Sequence, residues 1–238
     1  MKNQHNTLAV GVAQVEITPD YPIRLSGYGS RRTESEGIIQ RLWAKALAIG
    51  SDTEEPVIVV TVENCGLPDE LTEEVAHRVK QKTGLSRAHF VACFTHTHSA
   101  PCLTNAAPFI FSSDIPPEQQ EKIERYTQQL GDWLETVTLE ALANREPCQV
   151  AWNVGELDFA KNRRTEGGPI DHGLPMLHVT DADGALRAVW ASYACHCTTL
   201  AGSDNHICGD WAGYAQEAIQ AANPGATALI SIGCGADA

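Results

Sequence analysis

The chain has 238 residues, 43% of them hydrophobic, and a formal net charge of -13 from 17 basic and 30 acidic side chains. That length and composition suit one sizeable core and fit neither a disordered nor a collagenous chain. The acidic balance excludes a nucleic-acid surface, since the basic pairs Arg31-Arg32 and Arg163-Arg164 are too short to displace a counterion atmosphere.

Apolar alternation over Ala9 to Ile17, closed by Thr18-Pro19-Asp20, predicts a strand and a turn. Leu42 to Ile49 and Val57 to Val62 predict two more strands at hairpin spacing across the turn-rich Gly50 to Pro56. Pro68 to Thr83 places Leu71, Val75 and Val79 on one helical stripe, with Gly84 as the stop. The apolar run Phe90 to Phe94 then predicts a strand that ends in Thr95-His96-Thr97-His98-Ser99. A long helix is expected after Pro116-Pro117, through Ile123, Leu130, Leu134, Val137 and Ala141 toward Arg145.

Strands follow at Cys148 to Val154, Pro175 to Val179 and Leu186 to Cys195, the last two joined by the hairpin signal Asp181 to Gly184. A helix over Trp211 to Ala222 and a buried strand over Ala226 to Ile232 close the series. Hairpins mixed with strand-helix-strand units imply an α/β fold, a mixed β-sheet with flanking helices in a single domain spanning residues 1–238. The last strand runs straight into the glycine-rich GCGADA, so the chain is expected to be a segment of a longer protein, incomplete at its C-terminus.

No apolar run approaches the ~20 residues of a membrane span, and the start lacks an export signal's apolar region. A cytoplasmic location is expected. With no such signal, the eight cysteines are expected to be reduced core thiols rather than a disulfide framework. No CxxC pair is present, which removes the usual zinc-ribbon signature.

Chemistry gathers at two histidine motifs. On a regular strand His96 and His98 share one face, so two imidazoles converge at the strand mouth. About a hundred residues later, Tyr193 to Thr199 (YACHCTT) ends another apolar strand, with His196 on one face and Cys195 and Cys197 on the other. The cysteines are therefore expected in the core and His196 at the site. Three histidines with an open position are an ordinary zinc arrangement, and a histidine beside the ligands can move a proton or stabilise an oxyanion.

Asp210 in the glycine-flanked GDWAGY is a candidate carboxylate, with capping of a helix as its ordinary alternative. Asp171 stands as a partner to orient Arg163 or a ligand histidine. His178 reads as structural or exposed, Gly27-Tyr28-Gly29 as a tight turn with approach to the site as its alternative, and Glu63-Asn64 as a polar strand ending with a place behind the site as its alternative.

The ordered series GVAQVEITPD, LSGYG, GIIQRLWAKALAI, THTHSAP, KNRR, YACHCTT, GDWAGYA and GCGADA resembles the catalytic N-terminal domain of the neutral ceramidase family, from about residue 10 onward. The resemblance implies a zinc-dependent amidase cleaving an N-acyl bond, with a small-molecule or lipid-like amide as substrate. It implies His96 and His196 as Zn2+ ligands, His98 as a neighbouring catalytic group, and Arg163 in the lining of the active site. The family's remaining ligands, a glutamate and a tyrosine, lie beyond the turn that GCGADA resembles. The serine of the family's GDVSPN turn has no counterpart in GCGADA, so cleavage is expected through metal-activated water. The other readings are a binding domain without catalysis and a hydrolase using Cys65 or Cys93 as nucleophile, activated by His96 or His98.

Overall fold

Small side chains decide how the main layers meet. The computed structural model of the protein describes residues 7–107 and 109–238; residues 1–6, part of the segment read for an export signal, lie outside them. In chain order the elements are β1 (Leu8–Glu16), β2 (Gly37–Ile38), β3 (Trp43–Ile49), β4 (Val57–Val62), α1 (Asp69–Thr83), β5 (Phe90–Phe94) and α2 (Pro117–Ala143). There follow β6 (Glu146–Glu156), β7 (Gly173–Thr180), β8 (Leu186–Tyr193), β9 (His206–Ile207), α3 (Asp210–Ala222) and β10 (Thr227–Ile232). The expected elements are all present with ends displaced by one or two residues; among the described residues the short β2 and β9 and a 3-10 turn over Arg87–His89 were not anticipated. The fold is α/β with a mixed sheet. Among the described residues no helix is long and apolar enough to cross a membrane.

Eight strands form one sheet in the order β10-β8-β7-β6-β1-β3-β4-β5. The interior pairings are antiparallel, and the two outermost, β4 with β5 and β8 with β10, are parallel. Parallel neighbours need a crossover, supplied by α1 at one edge and α3 at the other. Each edge is thus a strand-helix-strand unit.

In the middle, β3 is buried on both sides. Ala44, Ala46 and Ala48 face α2, whose stripe of Ile123, Tyr126, Leu130, Leu134, Val137 and Ala141 fills the larger core. Alanine on that face, together with Gly11 on β1, lets the helix lie close: a Cβ at Gly11 would collide with the Ala141 carbonyl. The opposite face of β3 turns Leu47 into a second cluster with Val10, Cys148, Val179, Ala188 and Leu229.

That second face is covered because the sheet folds over itself. β1 and β6 pair only over Leu8–Val10, and beyond that hinge the β6-β7-β8-β10 half lies across β3, where Lys45 Nζ donates to the Ala228 carbonyl of β10 at 2.9 Å. The fold brings the carboxyl ends of both edge units together. They meet at a parallel bridge between Thr97 and Cys197. In α/β sheets the carboxyl ends of strands are where ligands bind, and here that position collects both histidine motifs.

Candidate metal centre

His96 and His98 converge, though not by strand alternation. β5 ends at Phe94, and His96 sits in the left-handed region at φ 65°, a conformation uncommon outside glycine. The loop is held by Thr95 N to the Val62 carbonyl at 3.0 Å, His96 N to the Asn64 carbonyl at 2.9 Å, and Thr97 Oγ1 to the Cys208 carbonyl at 2.7 Å. Loop geometry, rather than a pleat, turns both rings inward.

The same correction applies to His196. β8 ends at Tyr193, so Cys195 and Cys197 do not alternate with it along a strand. Cys197 is buried with its thiol on the Thr95 carbonyl at 3.1 Å, while Cys195 is half-buried. His196 is fixed from outside the strand: its N–H donates to the Ala238 carbonyl at 2.8 Å, and its own carbonyl accepts from Trp211 Nε1 at 3.0 Å.

The three imidazoles stand mutually edge to face, with ring centroids 4.5 to 5.1 Å apart. Nε2 of His96 lies 3.0 Å from Nε2 of His196 and 3.3 Å from Nε2 of His98. Tautomers follow from the partners. A carbonyl only accepts, so Nδ1 of His96, bonded to the Cys65 carbonyl, carries a proton, as does Nδ1 of His196, bonded to the Gly235 carbonyl at 2.7 Å.

All three rings are held neutral. Burial is the main cause for each; the nearby Arg163 guanidinium pushes the same way for all three, against the raising influence of the carbonyl bonds on His96 and His196. His98 is driven furthest, to about 3, with the other two imidazoles and Arg31 adding to burial. A neutral ring protonated on Nδ1 presents a lone pair on Nε2. Two such lone pairs 3.0 Å apart repel unless a cation lies between them.

The donor set therefore fits a divalent ion of the zinc type. Around a tetrahedral ion with Zn–N near 2.0 Å, two ligand nitrogens stand roughly 3.3 Å apart, and metal-bound histidines characteristically donate their other N–H to a carbonyl or carboxylate. His96 and His196 meet both conditions. His98 meets only the first, because its Nδ1 is buried without a partner. His98 also lies close enough to Cys65 and His96 to share an ion; protonated on Nε2 it would instead aim a donor at the same point.

Other expected residues fall as follows. Arg163 reaches the cluster: its Nη2 donates to His196 Nε2 at 3.0 Å and to the Ala236 carbonyl at 2.8 Å. Asp171 does not serve it, since that carboxylate accepts from Gly173 N at 2.9 Å, closing its own turn. Asp210 is buried at φ 58° and accepts from Thr199 N at 2.9 Å, Leu200 N at 3.3 Å, Trp211 N at 2.7 Å and the Thr199 hydroxyl. Among the described residues it makes no hydrogen bond to the imidazoles; it ties the loop after His196 to the start of α3. His178 pairs with Asn153 on the exposed sheet.

Arg31 and an aromatic cluster were missed, whereas approach of the Gly27-Tyr28-Gly29 turn to the site was one of the readings its sequence allowed. Gly27, at φ 88°, lies directly on the His98 ring, with Tyr28 edge-on to it at 4.9 Å. Arg31 is buried and, among the described residues, pairs with no carboxylate; it donates to the carbonyls of Ser26, His98 and, at 2.8 Å, Asp204. The signal was available in LSGYG, whose glycines mark close approach. Arg31 gave none, because a basic pair reads as surface. Phe159, Tyr193 and Trp211 form an aromatic cluster with centroids 4.8 to 5.9 Å apart that braces the loops bearing Arg163 and His196.

Beside the rings opens a pocket of about 240 Å³ lined by Gly27, Cys65, Gly66, Ala106 and Ile110. A larger cavity of about 410 Å³, between Asp52, Thr83, Leu139 and Arg145, lies at the other end of the sheet and contains none of the histidines.

The paired edges of a mixed sheet deliver three neutral imidazoles and an arginine to one point, a donor set that fits a divalent ion. Residues 8–229 match the family described as neutral/alkaline non-lysosomal ceramidase, N-terminal, and the chain belongs to that family. Similar curated proteins are the neutral ceramidases of Drosophila melanogaster, 26% identical over 226 residues, and Drosophila pseudoobscura pseudoobscura, 27% identical over 226 residues; each match covers 88% of this chain and 31% of the relative. A solved neutral ceramidase from Pseudomonas aeruginosa superposes with TM-score 0.81 at 21% identity, over 95% of this chain and 38% of that one. A structure described as ceramidase complexed with C2 gives TM-score 0.81 at 22% identity, over 95% and 37%. The chain spans about a third of the length of the relatives it matches.

Proposed function

We propose that this chain carries the histidine-bearing part of a zinc-dependent amide hydrolase that cleaves an N-acyl bond in a ceramide-like substrate. The observation that carries the reading is the pair of Nε2 lone pairs of His96 and His196, 3.0 Å apart with both Nδ1 protons committed to backbone carbonyls. Zinc held by them supplies a Lewis acid for the amide carbonyl and brings the acidity of water into the neutral range. The rest is protein chemistry. His98, kept neutral, presents an N–H toward the reacting carbonyl, and Arg163 presents a permanent positive charge from the other side. Both oppose negative charge as it develops on the amide oxygen. Arg31, bonded to backbone carbonyls, keeps the local field positive and so opposes protonation of His98. The glycine- and alanine-lined pocket beside His96 and His98 receives an apolar chain.

A thiolate mechanism has little support. Burial raises the Cys65 thiol to about 11 and pushes Cys93 up as well, so neither forms the nucleophilic anion near neutral pH.

The test is metal content and hydrolysis of a fluorogenic N-acyl amide by the purified full-length protein that contains this chain. About one zinc per chain, lost together with turnover in His96→Ala and in His196→Ala, is expected. Full zinc stoichiometry in either variant would sink the assignment.

A further inference from the structure

The contact between Arg163 and His196 bears on how the centre takes up its ion. Nε2 of a neutral imidazole has one lone pair in the ring plane. That lone pair accepts from Arg163 Nη2 at 3.0 Å, and it is also the one a metal at His196 requires. An arginine cannot vacate the position by losing a proton, because its guanidinium stays charged at any ordinary pH. It has to move.

The surroundings make that movement easy. Among the described residues no carboxylate pairs with Arg163; the neighbouring Arg164 takes Asp237, at 3.1 Å. Arg163 holds only the Ala236 carbonyl, through Nε at 3.2 Å and Nη2 at 2.8 Å, on an exposed stretch of chain. His196 is much better anchored, by the Gly235 and Ala238 carbonyls and by Trp211. Of the two partners, the arginine is the one free to leave.

We propose that Arg163 is a competitor of the metal: it occupies the lone pair of His196 until a divalent cation displaces it, and so sets the affinity of the centre. This rests on the zinc reading above. Two things follow for uptake. The like charges of guanidinium and dication add to the competition, so the ion is bound more weakly than two well-aimed imidazoles would otherwise hold it. The guanidinium expelled from His196 remains tethered through its backbone, with Arg163 N on the Asp237 carbonyl at 2.7 Å, and swings within reach of the reacting carbonyl. Ion binding thus arms the second positive group.

The decisive measurement is the zinc Kd of the purified protein by competition with a chromophoric chelator. Arg163→Ala is expected to bind zinc roughly tenfold more tightly than wild type, the low end of what a hydrogen bond to a charged group contributes. A purely structural Arg163 gives the opposite sign, because loosening the Ala236 turn would loosen His196. Unchanged or weaker affinity in Arg163→Ala overturns the proposal. Arg163→Gln, which keeps an amide donor without the charge, must shift in the same direction. In wild type, the side-chain Nε resonance of Arg163 must move on titration with zinc, and a static resonance also overturns it. His196→Ala separates the two claims: if it binds zinc like wild type, the metal assignment itself fails, whereas loss of binding there with no gain in Arg163→Ala condemns only the competition.

Discussion

Gly27→Ala places a methyl group where the fold has no room. The added Cβ would lie 2.5 Å from His98 Cβ and 2.7 Å from His98 Cα, so the backbone of the histidine loop must yield, not merely a rotamer. Two costs add. An L-residue at φ 88° loses about 1–2 kcal/mol relative to glycine, and overpacking a buried contact costs about 1–3 kcal/mol more. The sum, ~2–5 kcal/mol, corresponds to a fall in Tm of roughly 5–20 °C for a chain of this size. Urea denaturation reads the stability, and hydrolysis of the N-acyl amide reads the displacement of His98. Zinc affinity should change far less than turnover, because His96 and His196 are aimed by the Cys65 and Gly235 carbonyls, which the methyl does not touch. Stability within about 0.5 kcal/mol of wild type together with intact turnover would refute the claim that this glycine seats the ring.

Glu63 and Asp210 give further tests away from the imidazoles. Burial pushes the Glu63 carboxyl up to about 7, against the attraction of Lys45 and hydrogen bonds from Trp43 and Gln216. Its native form therefore binds a proton that the unfolded chain, titrating near 4.3, has already released, and stability drains away as pH rises toward 7. Lys45, lowered by burial to about 8, is charged in both states below that value and adds no slope there. Glu63→Gln should accordingly gain in Tm relative to wild type between pH 5 and pH 7.5 (roughly the span set by those two values); parallel Tm curves would contradict the account. Asp210→Ala strands buried donors worth about 1–3 kcal/mol each, and calorimetry should show a large loss, smaller in Asp210→Asn, which also tolerates positive φ. Turnover lost at unchanged stability would instead make Asp210 a chemical participant. Cys65→Ser should keep wild-type turnover, and an inactive but folded, zinc-replete variant would revive the thiol mechanism.

Periodicity located the elements because each is paired with a single, consistent environment. The stripe of α2 reads at helical spacing since one face meets one sheet, and the β7–β8 hairpin reads from its turn because Asp181 Oδ1 accepts from Asp183 N and Ala185 N at 2.9 Å each. What could not be read is the folding of the sheet over itself. Lys45 in WAKALAI has the look of an outward polar residue, yet it is 2% exposed and bonded to Gln220 and Ala228. Nothing local signals that β10 will cross there. The site shows the same division: the three histidines were legible as residue types at strand ends, but the carbonyls that fix their tautomers belong to Cys65 and Gly235, and a backbone oxygen leaves no trace in side-chain pattern. Cys197 is in the core as expected and Cys195 only half-buried; the strand alternation used to place them extended β8 two residues past its end.

The bridge between Thr97 and Cys197 joins segments about a hundred residues apart, and this imposes an order of events on synthesis. His96 leaves the ribosome early, its counterpart follows much later, and the turn whose Gly235 carbonyl aims that counterpart is later still. At ~5–20 residues per second the interval is roughly seven to thirty seconds. Throughout it His96 lacks the His196 ring beside it, and the Gly235 carbonyl that aims that ring is not yet made. On the proposed zinc reading, the pair of His96 and His196 can grip an ion only after both edge units have docked.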